Sequence, residues 1–564
     1  MSEAISIDFE GERIEAQAGE SLAAALAGRG ILALRSTRCG AERGIFCGMG
    51  ICHDCLVEVD GRPNQRACMT VIDRPLTVRR EAHARPLPST NGSAVSAPVS
   101  IERPDVLVIG GGPGGLAAAI AASEAGASVT LIDERSKAGG QYFKQLGVSA
   151  APGPDRQHRE GLALVETARR VGVDLRTGVL VWGAFHSEGF AAVAGERALR
   201  FQPKAAIVAT GAYERPWPIP GWTLPGVMTT GAAQTLWRTA RRLPGCRVLI
   251  AGNGPLNLQL AGELIEGGAD VVAVVEAAAR PGFTHLGALV SMFAAAPGLV
   301  RDGVRYHARR RAGGAKMLYG QVATSIALNG SGLTVDLATA ESMKKNGRRF
   351  EVDVVCLGYG FEPANELLRL LGCGHDYDAE RRHLITRRHE GGRTDVAGVY
   401  ALGDCTGLGG ARVALAEGTI VGLAAAADIG HPETAALKAR RRKAEMALRQ
   451  HRRFQRALWR LYQAPAYSAA LATPETLICR CEEVSFGEIE AALAEEMRSA
   501  GAIKRRTRLG MGRCQARYCG PVLEALLESR CGQTRGEFSG FAPRVPVKPL
   551  PIGLLTQAFA PSTE

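Results

Sequence analysis

"DVLVIGGGPGGLAAAIAASEAGASVTLIDER", residues 105 to 135, reads as a strand, a tight glycine turn, a helix and a second strand. Gly110, Gly112 and Gly115 stand as G-x-G-x-x-G. The first permits the turn, the second lets backbone approach a pyrophosphate, and the third lets helix and strand pack closely. Asp133 closes the second strand 23 residues after Gly110, placed to accept a hydrogen bond from a ribose 2′-hydroxyl. The glycine pattern is weak by itself; the strand before it, the helix after it and the acid at this distance make it a dinucleotide-binding fold. Pro113, Glu134 and, further on, Gln141 join the candidate contacts.

Working outward, "AAIVATGAYERPWPIPG" sets Ala209, Thr210 and Gly211 after a strand, and "GVYALGDCTGLGG" sets Gly403 and Asp404 after another. Both resemble the returning motifs of flavoproteins with two dinucleotide domains, in which the aspartate holds the ribityl chain. A chain that comes back near residue 400 to close the same site implies an extended dinucleotide, FAD. For Asp404 alone, a helix N-cap is the competing structural use. Between the two motifs, "CRVLIAGNGPLNLQLAGELIEGGADVVAVVEAAAR" repeats the fold with Gly252 and Gly254, but Asn257 stands where the third glycine belongs. Glu276, 24 residues after Gly252, can still read a ribose. Three uses stay open for this second fold: NAD(H), ATP, or a retained scaffold. Near the first fold, "AGGQYFKQLG" holds no cysteine pair, and Cys246, Cys356, Cys373 and Cys405 are widely spaced singles suited to packing. Electrons leaving this flavin need another carrier.

Two cysteine sets flank these folds. Cys47, Cys52 and Cys55 stand as C-x4-C-x2-C with Cys68 following, the plant-type [2Fe-2S] ligand spacing. Gly44, Gly48 and Gly50 supply a backbone that can curl around a cluster, and "CLVEVDGRPNQRAC" runs out as a strand, turns at Asp60-Gly61 and brings Cys68 back. A four-thiolate zinc site suits this long glycine-rich loop less. Near the other end, Cys479 and Cys481 form C-x-C, and Cys514 and Cys519 form C-x4-C, separated by an apolar helical period that can gather all four thiols. A [2Fe-2S] cluster, a zinc ion and a metal-free structural module are the uses such a set can have.

The chain has 564 residues, 46% apolar and 22% charged, enough for several cores. Its first twenty residues carry acids where a signal peptide carries bases, and no apolar run is long enough to span a bilayer, so the expectation is a cytoplasmic protein with any membrane contact peripheral. In a reducing compartment, fourteen cysteines point to metal, redox chemistry or packing rather than disulfides. Much of the +12 net charge sits in residues 438 to 460, where Leu437, Ala444, Leu448, His451, Phe454, Leu458 and Leu461 recur at helical spacing. That segment reads as a helix packed by its apolar stripe with arginines in solvent; an acidic protein partner, nucleic acid or lipid are the other uses of such a face.

The predicted division is a plant-type [2Fe-2S] module over 1–82, a linker over 83–102, a first FAD-binding segment over 103–242, a nucleotide-binding fold over 243–355 and a returning FAD-binding segment over 356–430. A basic helical connector covers 431–470, a second [2Fe-2S] module 471–535, and a proline-bearing tail 536–564. The fold class is α/β: two interleaved Rossmann-like dinucleotide-binding folds, an N-terminal β-grasp ferredoxin-like domain and a small C-terminal helical domain.

The first module, through "FCGMGICHDCLVEVDG" and "RAC", resembles the small ferredoxin-like domain of heterotetrameric sarcosine oxidase and of dye-linked opine, hydroxyproline and proline dehydrogenases. The segment ending in "TRLGMGRCQARYCGPVLEAL" resembles the bacterioferritin-associated ferredoxin-like domain of the same dehydrogenases. Nearly the whole chain resembles their ferredoxin-like and FAD-binding subunits, and those of hydrogen cyanide synthase, fused together. The resemblance implies FAD and two [2Fe-2S] clusters held by the eight cysteines named above, with FMN expected at a subunit interface. It also implies a partner resembling D-amino-acid oxidase that carries the substrate site. This chain then passes electrons from oxidation of an amino or imino acid C–N bond to a quinone, dye or carrier protein, with no nucleic acid and no membrane span involved. Catalytic residues are unassigned here, because the substrate is expected on the partner. The rival reading is a self-sufficient NAD(P)H-dependent reductase using the second fold; a non-enzymatic iron-sulfur redox sensor leaves the paired FAD motifs without a purpose.

Overall fold

The computed structural model describes residues 4–81, 99–149, 151–186 and 188–558. Most of the expected linker, residues 83–98, and the end of the tail, 559–564, lie outside the described residues.

The N-terminal module is a five-stranded sheet in the order Glu12–Gln17, Ala4–Phe9, Leu76–Arg80, Leu56–Val59, Arg62–Arg66, packed against a short buried helix, α1 (Leu22–Ala27). This is the expected β-grasp. Alternation places Ile5, Ile7, Phe9, Ile14 and Ala16 in the core while polar neighbours face out. Asp60 and Gly61, at φ +49° and +77°, make the tight turn that returns Cys68 toward Cys55.

The first dinucleotide fold is a parallel sheet in the order Asp174–Thr177, Val129–Asp133, Val106–Ile109, Ala205–Val208, Val399–Ala401. Its central strands are apolar on both faces, as strands covered by helices on both sides must be. Helix α2 (Pro113–Glu124) runs from the glycine loop. The second is also parallel, in the order Val227–Thr229, Val354–Gly358, Arg247–Gly252, Asp270–Glu276, Lys316–Tyr319. It carries helices α3 (Thr230–Ala240) and α4 (Pro255–Glu266). Two expected boundaries shift accordingly. The nucleotide fold starts near Val227 rather than 243 and ends at Gly358 rather than 355, because Val227–Thr229 and Val354–Gly358 pair with each other inside the second sheet. Ser100–Glu102, placed in the linker by its composition, pairs in parallel with Arg197–Phe201.

Within the second fold, between its strands Asp270–Glu276 and Lys316–Tyr319, stands a bent helical hairpin, α5 (Leu286–Ala295) and α6 (Pro297–Ala312). Helix α7 (Ala411–Asp428) closes the first fold against α2; a methyl on Gly418 or Gly422 would come within 2.2 Å of the carbonyl of Gly114 or Ala118, so the two helices touch backbone to backbone. The basic helix α8 (Ala435–Leu461) buries Leu437, Ala444, Phe454 and Ala457 and leaves its arginines outward, as its period indicated. The C-terminal module is helical, with α9 (Phe486–Ala494), α10 (Ala500–Thr507) and α11 (Gly520–Cys531) around an apolar core. The tail ends its described residues in α12 (Ile552–Ala558), whose Leu554 and Ala558 pack with Trp182, Val193 and Ala198 of the mixed sheet formed by Val179–Phe185, Gly189–Ala194, Arg197–Phe201 and Ser100–Glu102.

Candidate functional site

In the first cysteine loop, Gly48 and Gly50 take φ of +60° and +78°, which turns backbone amides inward. The amides of Met49 and Cys52 donate to Cys47 Sγ at 3.5 and 3.4 Å. Burial pushes the Cys47 thiol up, yet the Cys52 thiol and these amides bring it down to about 6. The thiols meet in twos, Cys47 with Cys52 and Cys55 with Cys68. The second set repeats the pattern, Cys479 with Cys519 and Cys481 with Cys514. The Cys519 thiol and nearby amides lower Cys479 to about 7 against its burial. Two pairs per site suit the two irons of a [2Fe-2S] cluster, each taking two thiolates. All eight cysteines are free, and Cys39, eight residues before Cys47, is exposed where they are largely buried.

The two sets are neighbours. Cys481 Sγ lies 3.9 Å from the carbonyl oxygen of Cys52, and the rings of Phe46 and Tyr518 meet edge-on at 5.4 Å. Between the loops sits Arg480, its guanidinium 3.8 Å from the Phe46 ring centre and 4.7 Å from that of Trp222. Its Nε donates to Asp54 Oδ2 at 2.6 Å and its Nη1 to the Trp222 carbonyl at 2.7 Å. Arg35 donates to Asp54 Oδ1 at 2.9 Å. Burial drives the Asp54 carboxyl up, but Arg480 and Arg35 hold it below the usual carboxylate range. This desolvated pair fastens one cysteine loop to the other, and removing one partner would strand a buried charge. The signal lies within the motifs: Asp54 stands inside "CHDC" and Arg480 inside "CRC", opposite charges between the cysteines.

The cysteine loops also touch both dinucleotide folds. The Phe46 carbonyl accepts from the Thr229 amide at 2.8 Å, and Gly48 lies against Ala232 of α3, close enough that a Cβ there would reach 2.8 Å. Arg66 Nη1 donates both to Gly50 O at 2.8 Å and to Glu134 Oε1 at 2.7 Å. Glu134, a candidate FAD contact in the sequence, gives its other oxygen to Lys548; both carboxylate oxygens tie modules together. Asp133 is oriented by the amides of Gly111 and Arg135 at 2.6 and 2.8 Å. A Cβ on Gly115 would sit 1.9 Å from the Gly110 carbonyl, which is the close helix-strand packing its position demands. Gly112 caps α2, Pro113 fills its first turn, and Gly140, next to Gln141, abuts Gly112. Thr210 donates to the Ala364 carbonyl, and Ala209 and Gly211 flank it at the strand end. Gly403 donates to Glu417 of α7 at 2.8 Å, and Asp404 accepts the amides of Gly409 and Gly410 at 2.9 and 2.7 Å. Asp404 therefore shapes the loop entering α7, close to the N-cap alternative, while Glu417, unread in the sequence, supports it.

In the second fold Asn257 bridges: its Nδ2 donates to the Gly358 carbonyl at 3.0 Å and its Oδ1 accepts from Thr230 at 2.7 Å. Gly252 and Gly254 keep the loop, and Glu276 accepts from the Gly254 and Ala278 amides at 3.1 and 3.0 Å, its carboxyl pushed up to about 7 by burial. The loop is not bare. Asn253 Nδ2 donates at 2.8 Å to the carbonyl of Tyr462, in the segment leaving α8, and Tyr467 of that segment donates to the Pro218 carbonyl. Beside the loop of Gly403 and Asp404, a cavity of about 570 Å³ is lined by Thr406 to Gly409, His383, Glu417, arginines of α8 including Arg452, and Arg381 and Arg388 beside the strand pair His375–Asp378 and His383–Thr386.

Comparisons with known proteins agree with this layout. The pyridine nucleotide-disulphide oxidoreductase family model matches residues 104–418, a 2Fe-2S iron-sulfur cluster binding domain residues 2–83, and a BFD-like [2Fe-2S] binding domain residues 477–529. An opine oxidase subunit of Agrobacterium tumefaciens is 33% identical over 80% of this chain and 91% of its own length. The HcnB subunit of hydrogen cyanide synthase from Pseudomonas aeruginosa is 30% identical over 79% of this chain and 97% of its own. The alpha subunit of sarcosine oxidase from a Corynebacterium is 29% identical over 76% of this chain, matching 44% of its own length. Among solved structures, L-proline dehydrogenase from P. horikoshii superposes with a TM-score of 0.72 at 20% identity, covering 98% of both chains, which shows a shared fold.

Proposed function

The chain belongs to the pyridine nucleotide-disulphide oxidoreductase family and to that of the opine oxidase subunit it matches, and on this premise we propose that it is the electron-transfer subunit of an amino- or imino-acid dehydrogenase. A partner flavoprotein resembling D-amino-acid oxidase oxidises the C–N bond of an opine, D-hydroxyproline, proline or similar substrate, and this chain passes the electrons to an external acceptor. The observation that carries the reading is the contact of the two cysteine sets with each other and, through Arg66 and Glu134, with the FAD-binding strand end. When bound, FAD exchanges electrons in pairs or singly and the [2Fe-2S] clusters singly. Cys47, Cys52, Cys55 and Cys68 would hold one cluster and Cys479, Cys481, Cys514 and Cys519 the other. Phe46, Trp222 and Tyr518, all buried, keep water out of the gap, and Arg480 with Asp54 fixes its width. FMN at the junction with the partner is part of this proposal.

The partner-dependent reading and the NAD(P)H reductase differ in the second fold. Asn257 and the Tyr462 segment favour a scaffold there over a hydride-donor site. The test combines iron analysis with magnetic resonance. Cys47→Ser and Cys514→Ser are each expected to remove one [2Fe-2S] from the iron count, and the reduced wild type should show two interacting paramagnetic centres where each variant shows one isolated centre. Unchanged iron in either variant would mean that the ligand set is misassigned. Full-rate dye reduction by the isolated partner would remove the need for this chain.

A further inference from the structure

The α5–α6 hairpin has an apolar face that no described residue covers. One stripe of α5, Ala288 and Met292 with Ala295, packs on Phe454 and Ala457 of α8. On the opposite face Leu286, Leu289, Val290 and Phe293 follow the i, i+3, i+4, i+7 pattern of a core-facing helix, yet are 60, 42, 61 and 64% exposed. Phe283, in the turn before them, is 98% exposed, and Val304 of α6 is 63% exposed. Scattered exposed apolar residues are ordinary, but a contiguous stripe marks an interaction surface.

The charge around the stripe is mostly positive, and Asp302 of α6 is ion-paired with Arg156 at 2.5 Å. From Ala277 to Arg301 there is no acidic residue, and Arg280, Arg301 and Arg305 flank the hairpin. Beside it, exposed Arg449, Arg452, Arg453, Arg456 and Arg460 form a stripe along α8, and Arg453 Nε donates to Ser291 Oγ of α5 at 3.1 Å. An apolar stripe of Leu, Val and Phe bordered by arginine is the composition of a helix that lies in a lipid interface, with guanidinium groups on headgroup phosphates. A second copy docked across a twofold axis would bring the arginine stripe against its own like. Phe283, nearly bare on its turn, needs no shaped pocket among acyl chains. The hairpin does not span: one face is taken by α8, its two helices bend by 118°, and no single helix is long and apolar enough to cross a membrane.

We propose that the α5–α6 hairpin, with the arginine stripe of α8, is a peripheral docking surface for an anionic lipid bilayer. The proposal goes beyond the electron-transfer role and does not depend on it. The purified full-length protein, loaded with FAD and iron, is mixed with phosphatidylethanolamine–phosphatidylglycerol vesicles or with phosphatidylcholine vesicles and floated. It is expected to float with the anionic vesicles, to be released by raised salt, and to stay behind with phosphatidylcholine. Phe283→Ser with Phe293→Ser should lower the floated fraction by about tenfold or more, leaving FAD and iron content unchanged. Failure to float with anionic vesicles, or equal flotation of the variant, overturns the proposal. So does a dimer seen by light scattering, or a co-purifying partner subunit, that the double variant abolishes, since either would put protein on this stripe.

Discussion

The two dinucleotide folds are built from the same plan, strand, glycine loop, helix and acid-ended strand, and differ at one helical position. In the first, Gly115 lets α2 approach the strand until a Cβ would reach 1.9 Å from the Gly110 carbonyl. In the second, Asn257 fills that place, spends its side chain on Gly358 and Thr230, and the loop residue Asn253 is engaged by Tyr462. A side chain in the third glycine's place ties the helix to the neighbouring strand, and the proposed scaffold role of the second fold rests on that tie.

The largest effect is expected of Gly115→Val. Its branched side chain has no room beside Gly110, so FAD content should fall to near zero and the thermal midpoint should drop; overpacking of this kind costs about 1–3 kcal/mol or more. Retained FAD would show that the two loops are not distinguished by packing.

Glu276→Gln gives the next effect, read through pH. Burial raises the Glu276 carboxyl to about 7, so between its ordinary range and pH 7 the native protein holds a proton that the unfolded chain has released. Wild-type stability relative to the variant should therefore fall as pH rises from about 4.5 to 7, by on the order of 2–3 kcal/mol, and level off above that. Denaturant melts of both proteins at pH 5 and pH 8 read the difference; a gap that does not change with pH would place Glu276 in contact with water or a cation.

Asn257→Ala should cost about 1–3 kcal/mol by stranding the Thr230 hydroxyl and the Gly358 carbonyl, with FAD content unchanged. The smallest effect is expected of Asn257→Gly with NADH: restoring the glycine pattern leaves the Tyr462 segment in place, so flavin absorbance should bleach no faster than in the wild type. Rapid bleaching in either protein would favour the NAD(P)H reductase and count against the scaffold.

Legibility follows the range of the interaction. The turn at Asp60-Gly61, the helix caps and the first glycine loop are set within a few residues, so their spacing reveals them. The strand Val227–Thr229 falls to the wrong fold in a reading of the sequence because three residues carry no period, and only pairing with Val354–Gly358, more than a hundred residues away, assigns them. Glu134, next after the strand end at Asp133, reads as a cofactor contact; that it also binds Arg66 and Lys548 is a matter of three distant segments meeting. Arg480 and Asp54 stand in plain view inside the cysteine motifs, yet a charge between cysteines reads as solvated until its partner, 426 residues off, is known.

The sequence by itself determined the parts: two sets of four cysteines, a complete FAD fold with its returning motifs, and an interrupted second fold. These follow from local chemistry, because ligand spacing, glycine turns and hydrophobic period act over neighbouring residues. Tertiary structure alone decided that the two cysteine sets face each other across Arg480 and Asp54, that the second glycine loop is held by Tyr462, and that α5 leaves an apolar stripe in the open. The physical reason is that burial, ion pairing and unpartnered surface are properties of segments brought together, and no spacing along the chain encodes which segments meet.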